Sequence, residues 1–213
     1  MDTFCLNYQM VISPFLAQTL HFRLVSGGLK MKTTTTLILA VIFSLISTPV
    51  MPKGFTKAEI TQYNTMIISK MIQVVEPGLD KDKREKIASA LYQTSKKYAV
   101  DPKIMVAIIS TESNFNNDAV STSGDISLAQ INTKVWDLEF ARLGLHKINM
   151  KLLKKDEAYA LNKMGTILSI LQKRHGKKDS KWYAIYHSKT KKYKELYDTK
   201  VQSRLRMIAS VSR

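Results

Sequence analysis

Cysteine is nearly absent from this 213-residue chain. Cys5 stands alone, so no internal disulfide can form. The four histidines, His21, His146, His175 and His187, are scattered. No two lie at the helical or loop spacing that a zinc site uses, so no metal is expected. The chain also lacks a glycine-rich loop of the kind that cradles phosphate, and any internal repeat of useful length. No segment alternates apolar and polar residues with period two, which argues against sheet and for an all-α domain. Acidic residues are scarce: 17 Asp and Glu face 33 Lys and Arg, a formal net charge of +16. That excess suits an anionic partner, whether nucleic acid, acidic lipid or a cell-wall glycan, and equally a solvated basic surface. Composition does not choose among these.

The apolar run from Leu37 to Ile46 is too short for a membrane span, which needs about 20 residues. Met31, Lys32 and four threonines precede it, and Ser47-Thr48-Pro49 follows. This is the layout of a secretory signal. Residues 31–52 are therefore read as a signal peptide or, because Val50-Met51-Pro52 makes a poor cleavage site, as an uncleaved N-terminal anchor. A signal begins a chain, so Met31 is expected to be the natural start and residues 1–30 an extension arising from start-codon choice. Export to the periplasm or cell envelope fits a single cysteine outside the mature domain.

From Thr56 onward the chain reads as helix after helix, with residues 53–82 as a helical lead-in and 83–213 as the main domain. Ile60, Tyr63, Ile67, Met71 and Val75 form the first stripe, which Glu76-Pro77-Gly78 ends. Asp80 or Asp82 caps a second helix to Tyr98, with Ile87, Ala90, Leu91 and Thr94 inward. Asp101-Pro102 opens a third, to about Ser113. Asn114 to Gly124 reads as an ordered loop. A short helix is expected from Ile126 or Ser127 to Ile131, and another from Lys134 to Leu143. Asp156 caps a long helix to His175. Ser180 caps one through Tyr186, and the last runs from Tyr193 to Ile208 with Leu196, Tyr197, Leu205 and Ile208 on its face. The lysine clusters at 151–155, 173–178 and 189–194 fall at helix ends or in loops, where solvated surface explains them.

Met105, Ile108, Ile109 and Glu112 fall at i, i+3, i+4 and i+7, so a carboxylate shares a face with core side chains. Such a group needs a partner or a proton. A protonated glutamic acid at neutral pH is what a general acid has to be. A polar segment, through Gln130, follows it and supplies a site.

Glu112-Ser113-Asn114-Phe115-Asn116, then Ala119-Val120-Ser121, then Gly124-Asp125-Ile126-Ser127-Leu128-Ala129-Gln130-Ile131 resembles the signature of the soluble lytic transglycosylase family, E-S-x-F-N-x-x-A-x-S-x-x-G-A-x-G-L-M-Q-I, without gaps. Trp182 to Ser188 is similar to the family's later A-x-Y-N segment, with Tyr186 at the tyrosine. The resemblance implies an all-α, lysozyme-like (goose-type) domain that cuts the MurNAc-β-1,4-GlcNAc bond of peptidoglycan and closes a 1,6-anhydro ring. It implies no metal and no cofactor. Glu112 would act as the single acid and then base. Ser121 would hydrogen-bond the substrate N-acetyl group, Gln130 would line the groove, and Tyr186 would orient Glu112. Asp125, where the family carries a small residue, is read as a turn or capping residue, or else as a second carboxylate giving some hydrolysis. Ser127 replaces a glycine, Ala129 a methionine and His187 an asparagine. Peptidoglycan strands are the expected partner. Small members of the family accompany secretion or conjugation machines, a weaker link. A hydrolytic muramidase of the same fold and a non-catalytic glycan-binding module are the rival readings. No specific nucleic-acid partner is expected, since no recognised motif is present.

Overall fold

Nearly every helix begins where a short polar side chain can accept a free backbone N–H. Thr56 caps α1 (Lys57–Val75) in a full capping box with Glu59, and Asp80 caps α2 (Lys81–Tyr98). Asp101 caps α3 (Pro102–Glu112), with Pro102 in the first turn. Asn132 caps α4 (Thr133–Arg142), Asn149 caps α5 (Met150–Lys155) and Asp156 caps α6 (Glu157–His175). A 3-10 turn (Trp182–Tyr186) leads to α7 (Lys191–Ala209), which has no side-chain cap. This computed structural model describes residues 54–212, and the signal or anchor and the extension expected at 1–52 lie outside them. Among the described residues there is no strand, only isolated bridges, and no helix long and apolar enough to cross a membrane.

The core forms where α3 is wrapped. Met105, Ile108 and Ile109 are fully buried, and α1, α2 and α7 pack around that helix. Burying each such side chain contributes roughly 1.5–3 kcal/mol, so α3 is the rigid rod on which its terminal residue, Glu112, is carried. The segment expected as a lead-in joins this same core, through Ile68, Met71, Ile72 and Val75.

The structure differs from the sequence reading at five places, each with a local cause. The expected helix at 126–131 does not form. Ser127 (φ 73°) and Gln130 (φ 46°) are left-handed, a conformation that a right-handed helix cannot contain. The chain there makes the bridges Val120–Ile126 and Ile126–Ile131 instead. Ile60 and Tyr63 in α1 are 46% and 60% exposed, because only the C-terminal half of α1 is covered. Leu196 is 57% exposed, while its neighbours Tyr197 and Val201 turn inward. Ser180 caps nothing; the Asp179 carboxylate accepts from the Lys181 N–H. Finally, α5 has six residues, too few to show a period.

At Gly165, α6 lies close against side chains of α2. A Cβ there would stand 2.4 Å from Thr94 Cγ2 and 2.6 Å from Tyr98 Cδ2. Thr94 is buried, and Tyr98 is tied by its hydroxyl to Asn162 Oδ1, so neither can withdraw freely. Gly165→Ala is expected to destabilise the domain by about 1–3 kcal/mol, against the slight gain an open helix site would show. Urea unfolding measures it; an unchanged midpoint would mean that the two helices separate at little cost.

Candidate functional site

Glu112 is the last residue of α3. Immediately after it the chain turns sharply, with Asn114 (φ 49°) and Phe115 (φ 62°) both left-handed and Phe115 fully buried. Ser113 Oγ donates 2.7 Å to the Leu128 carbonyl, which sews the end of α3 to the loop that follows. Asn117 adds a second stitch, donating from Nδ2 to the Lys154 carbonyl at 2.7 Å. Ser113, within the E-S-x-F-N run, and Asn117, just beyond it, thus bracket the segment that follows Glu112.

The carboxyl itself is partly buried. Tyr197 of α7 donates its hydroxyl to Glu112 Oε1 at 2.6 Å. Burial pushes the Glu112 carboxyl up to about 7; the Tyr197 bond and Lys200 oppose that rise and the Asp125 charge adds to it. A carboxyl that titrates near neutrality is suited both to give a proton and to take one. Tyr197 is stacked on His187, with ring centroids 4.7 Å apart and planes within 5°. Burial, with Lys200 nearby, holds the His187 imidazole below its ordinary value, so the ring beside Tyr197 is neutral at pH 7.

Tyr197→Phe would remove the bond that favours the carboxylate. A hydrogen bond to a charged group is worth about 1.5–3 kcal/mol, so the apparent Glu112 titration should rise by roughly one pH unit or more. The alkaline limb of a kcat/KM profile would move up with it. An unmoved limb would remove Tyr197 from control of this acid.

Glu112 opens into a cavity of about 390 Å³, lined also by Ser123, Asp125, Gln130, Asn132, Val135, Trp136, Tyr186, His187, Ser188 and Tyr193. A second hollow of about 350 Å³ shares Val135, Trp136, Tyr186, His187 and Ser188 with it and reaches Arg174 and Lys189. Together they make one groove. Its lining combines polar groups with aromatic side chains, the mixture that a sugar ring, polar at its edge and apolar on its face, requires. Among the described residues no cluster of His, Cys, Asp or Glu could hold a metal ion.

The remaining sequence-predicted residues are placed unevenly. Asp125 lines the groove with Glu112, but both its oxygens are engaged: Oδ2 accepts from Ser121 Oγ at 2.8 Å and Oδ1 from Asn132 Nδ2 at 2.8 Å. Ser121 does not line the groove; its hydroxyl is spent on Asp125 and also accepts from the Asp125 N–H. Gln130 lines the groove while its amide donates to the Ala119 and Ser127 carbonyls, pinning the loop from within. Tyr186 lines the groove too, but its hydroxyl donates 2.7 Å to the Ala129 carbonyl, not to Glu112. The orienting role that the sequence assigns to Tyr186 falls geometrically to Tyr197. Sequence reasoning placed Tyr197 among core residues of the last helix; its hydroxyl partner lies 85 residues away, beyond any local pattern. Trp136, half-buried, and Tyr193, exposed, complete the aromatic lining.

At Ser127 the strain of a left-handed backbone is met by a local bond, since Ser127 Oγ accepts from the Ala129 N–H at 3.3 Å. A hydroxyl thus helps to hold a turn for which a glycine would be the ordinary choice.

A family model described as the transglycosylase SLT domain matches residues 89–188. The matched stretch holds Glu112, Ser121, Asp125, Gln130 and Tyr186, and ends before Tyr197.

Proposed function

Since residues 89–188 belong to the transglycosylase SLT domain family, we propose that this chain is an exported lytic transglycosylase, cleaving the MurNAc-β-1,4-GlcNAc bond of peptidoglycan with Glu112 as its one acid and base. The family and the all-α fold support glycan cleavage in general. The observation that carries the finer reading is the state of Glu112: a carboxyl raised to about 7, held by Tyr197, at the wall of an aromatic-lined groove.

The chemistry balances on that one group. Protonated Glu112 gives its proton to the bridging O4 as the C1–O4 bond breaks, and the GlcNAc side departs as an alcohol. The positive charge left at C1 and the ring oxygen faces the new carboxylate. The C6 hydroxyl of the same muramyl ring then attacks C1 and yields its proton to Glu112. The acid is restored and no water is consumed. Tyr197 holds one carboxyl oxygen throughout, which leaves the other to move the proton.

One observation favours a hydrolytic variant: Asp125 lines the same groove. Its engagement by Ser121 and Asn132 weighs instead for a role in fixing the loop. Mass spectrometry of digested peptidoglycan separates the two. Anhydro-muropeptides are expected; reducing-end sugars alone would make the enzyme a muramidase, and undigested wall would make the domain a binding module. Export rests on the residues 31–52 pattern, and accompaniment of a secretion or conjugation apparatus on analogy; fractionation of cells that make the protein tests the first.

A further inference from the structure

Asp198 follows Tyr197 on α7 and is 4% exposed. A carboxylate held so far from water needs partners for its oxygens. Tyr183 donates its hydroxyl to Oδ1 at 2.5 Å, and Lys181 Nζ stands 2.8 Å from Oδ2. The Tyr183 hydroxyl in turn accepts from Gln202 Nε2 at 2.6 Å. Asp198 and Gln202 are four apart on α7, so they rise from one side of it. Tyr183 lies in the 3-10 turn and Lys181 just before it. Tyr183 is itself buried; burial, then the Asp198 bond, pushes its hydroxyl up to about 12, so it stays a donor near neutral pH. These four side chains clasp the turn to α7. None of them lines the groove, and the proton scheme at Glu112 uses none of them.

The two parts that the clasp joins both serve the acid. The turn and the residue after it bring Tyr186 and His187 to the groove, while α7 brings the Tyr197 hydroxyl to Glu112. His187 is stacked on Tyr197, so the turn and α7 meet a second time beside the carboxyl. Neither the turn nor α7 has a side-chain cap at its start; the clasp is what ties one to the other through charged and polar groups. We propose that Asp198 is a positioning residue for the acid: by holding Lys181 and Tyr183 it fixes α7 against the turn, in the setting that brings the Tyr197 hydroxyl to Glu112. Its service to cleavage rests on the reading of the chain as a peptidoglycan-cleaving enzyme; its hold on the Tyr197–Glu112 contact does not. Hydrogen bonds to an ionised group are the strong ones, and misplacing a catalytic group by about 1 Å can cost about a hundredfold in rate. Asp125 and Lys200, the other charges that act on Glu112, lie outside the clasp.

The test follows the Glu112 carboxyl by carbon-13 NMR in the full chain, with its signal assigned from Glu112→Gln. Asp198→Asn should raise the Glu112 titration by roughly half a pH unit or more, because a displaced Tyr197 no longer favours the carboxylate. Removing a negative charge would by itself lower that titration, so a rise reports the lost contact and not the lost charge. In a Tyr197→Phe background the same substitution should add no further rise. Tyr183→Phe should act as Asp198→Asn does, while Lys192→Gln, elsewhere on α7, should leave the titration in place. Should a buried variant fail to fold, Lys181→Gln cuts the clasp from a half-exposed side chain and should also raise it. A titration that stays or falls in the clasp variants, or an equal rise without the Tyr197 hydroxyl, overturns the proposal. In turnover, the alkaline limb of kcat/KM for Asp198→Asn should move up with the titration and the plateau below it fall about tenfold; an unmoved limb overturns the proposal as well. Should the parent chain cleave no peptidoglycan, the lytic reading falls while the NMR arm still decides the clasp.

Discussion

Glu112→Gln is expected to lower cleavage of peptidoglycan by at least about two orders of magnitude, the usual scale of one general acid, while the protein folds as before. The amide is nearly the same shape, and its oxygen can still accept from the Tyr197 hydroxyl that now bonds Oε1 at 2.6 Å. What it cannot do is release a proton to the departing oxygen or take one from the C6 hydroxyl. Both halves of the scheme fail together, so product of every kind should vanish, not merely change. Release of soluble muropeptides measures the rate, and far-ultraviolet circular dichroism checks the fold. Retained activity would remove Glu112 from the mechanism. In the parent enzyme kcat/KM should hold below about pH 7, where the Glu112 carboxyl titrates, and decline with rising pH above it, since only the protonated form can start the reaction.

The same substitution should make the protein more stable in alkaline solution. In the folded chain the Glu112 carboxyl keeps its proton up to about 7, against an ordinary value of 4.5. Below the ordinary value the group is neutral in both folded and unfolded chains. Between the two values the unfolded chain has released its proton and the folded chain has not, so stability falls as pH rises. Above about 7 both are ionised, and the full cost of holding the charge in the fold is felt, roughly 3 kcal/mol. Relative to alkaline solution, that stability is fully present below 4.5 and lost by the time pH passes the folded value. Glutamine is neutral throughout and has no such slope. Glu112→Gln should therefore match the parent at pH 4.5 and exceed it by up to about 3 kcal/mol at pH 8.5, several degrees in Tm for a domain of this size. Thermal melts of both proteins at the two pH values decide it. A gap that does not widen with pH would mean that the carboxylate is well solvated in the folded protein. A residue that costs stability and carries activity is the signature of a site built for chemistry.

How much of this was legible beforehand follows from which forces are local. Helix starts were readable because a cap is a contact within three residues, as at Thr56, Asp80, Asp101 and Asp156. Glu112 stood out because its stripe partners lie within the same helix. The turn at 126–131 is not legible in the sequence, because the left-handed angles at Ser127 and Gln130 accompany bonds to Ala119 and do not follow from the preferences of those residues. Which tyrosine hydrogen-bonds Glu112 is hidden for a related reason. Tyr186 and Tyr197 are both buried phenols on inward faces, and only the three-dimensional packing of α7 on α3 decides which hydroxyl reaches the acid. The pairing of Ser121 with Asp125 is hidden as well: Asp125 reads as a turn or capping residue, but nothing in the spacing names Ser121, read as a sugar ligand, as its partner.

The place where α3 stops has a further meaning. A helix ends in carbonyls that point outward without partners, a pole worth roughly half a negative charge. Glu112 is the final helical residue, and the left-handed pair Asn114 and Phe115 ends the helix there. Its carboxyl thus sits at the one end of the helix where ionisation is opposed by the backbone itself, by roughly 0.3–1 kcal/mol. Were α3 to run one turn further, that pole would move about 5 Å away and the group would ionise more readily. The length of a helix, set by two residues with no chemistry of their own, is part of what sets the acid strength.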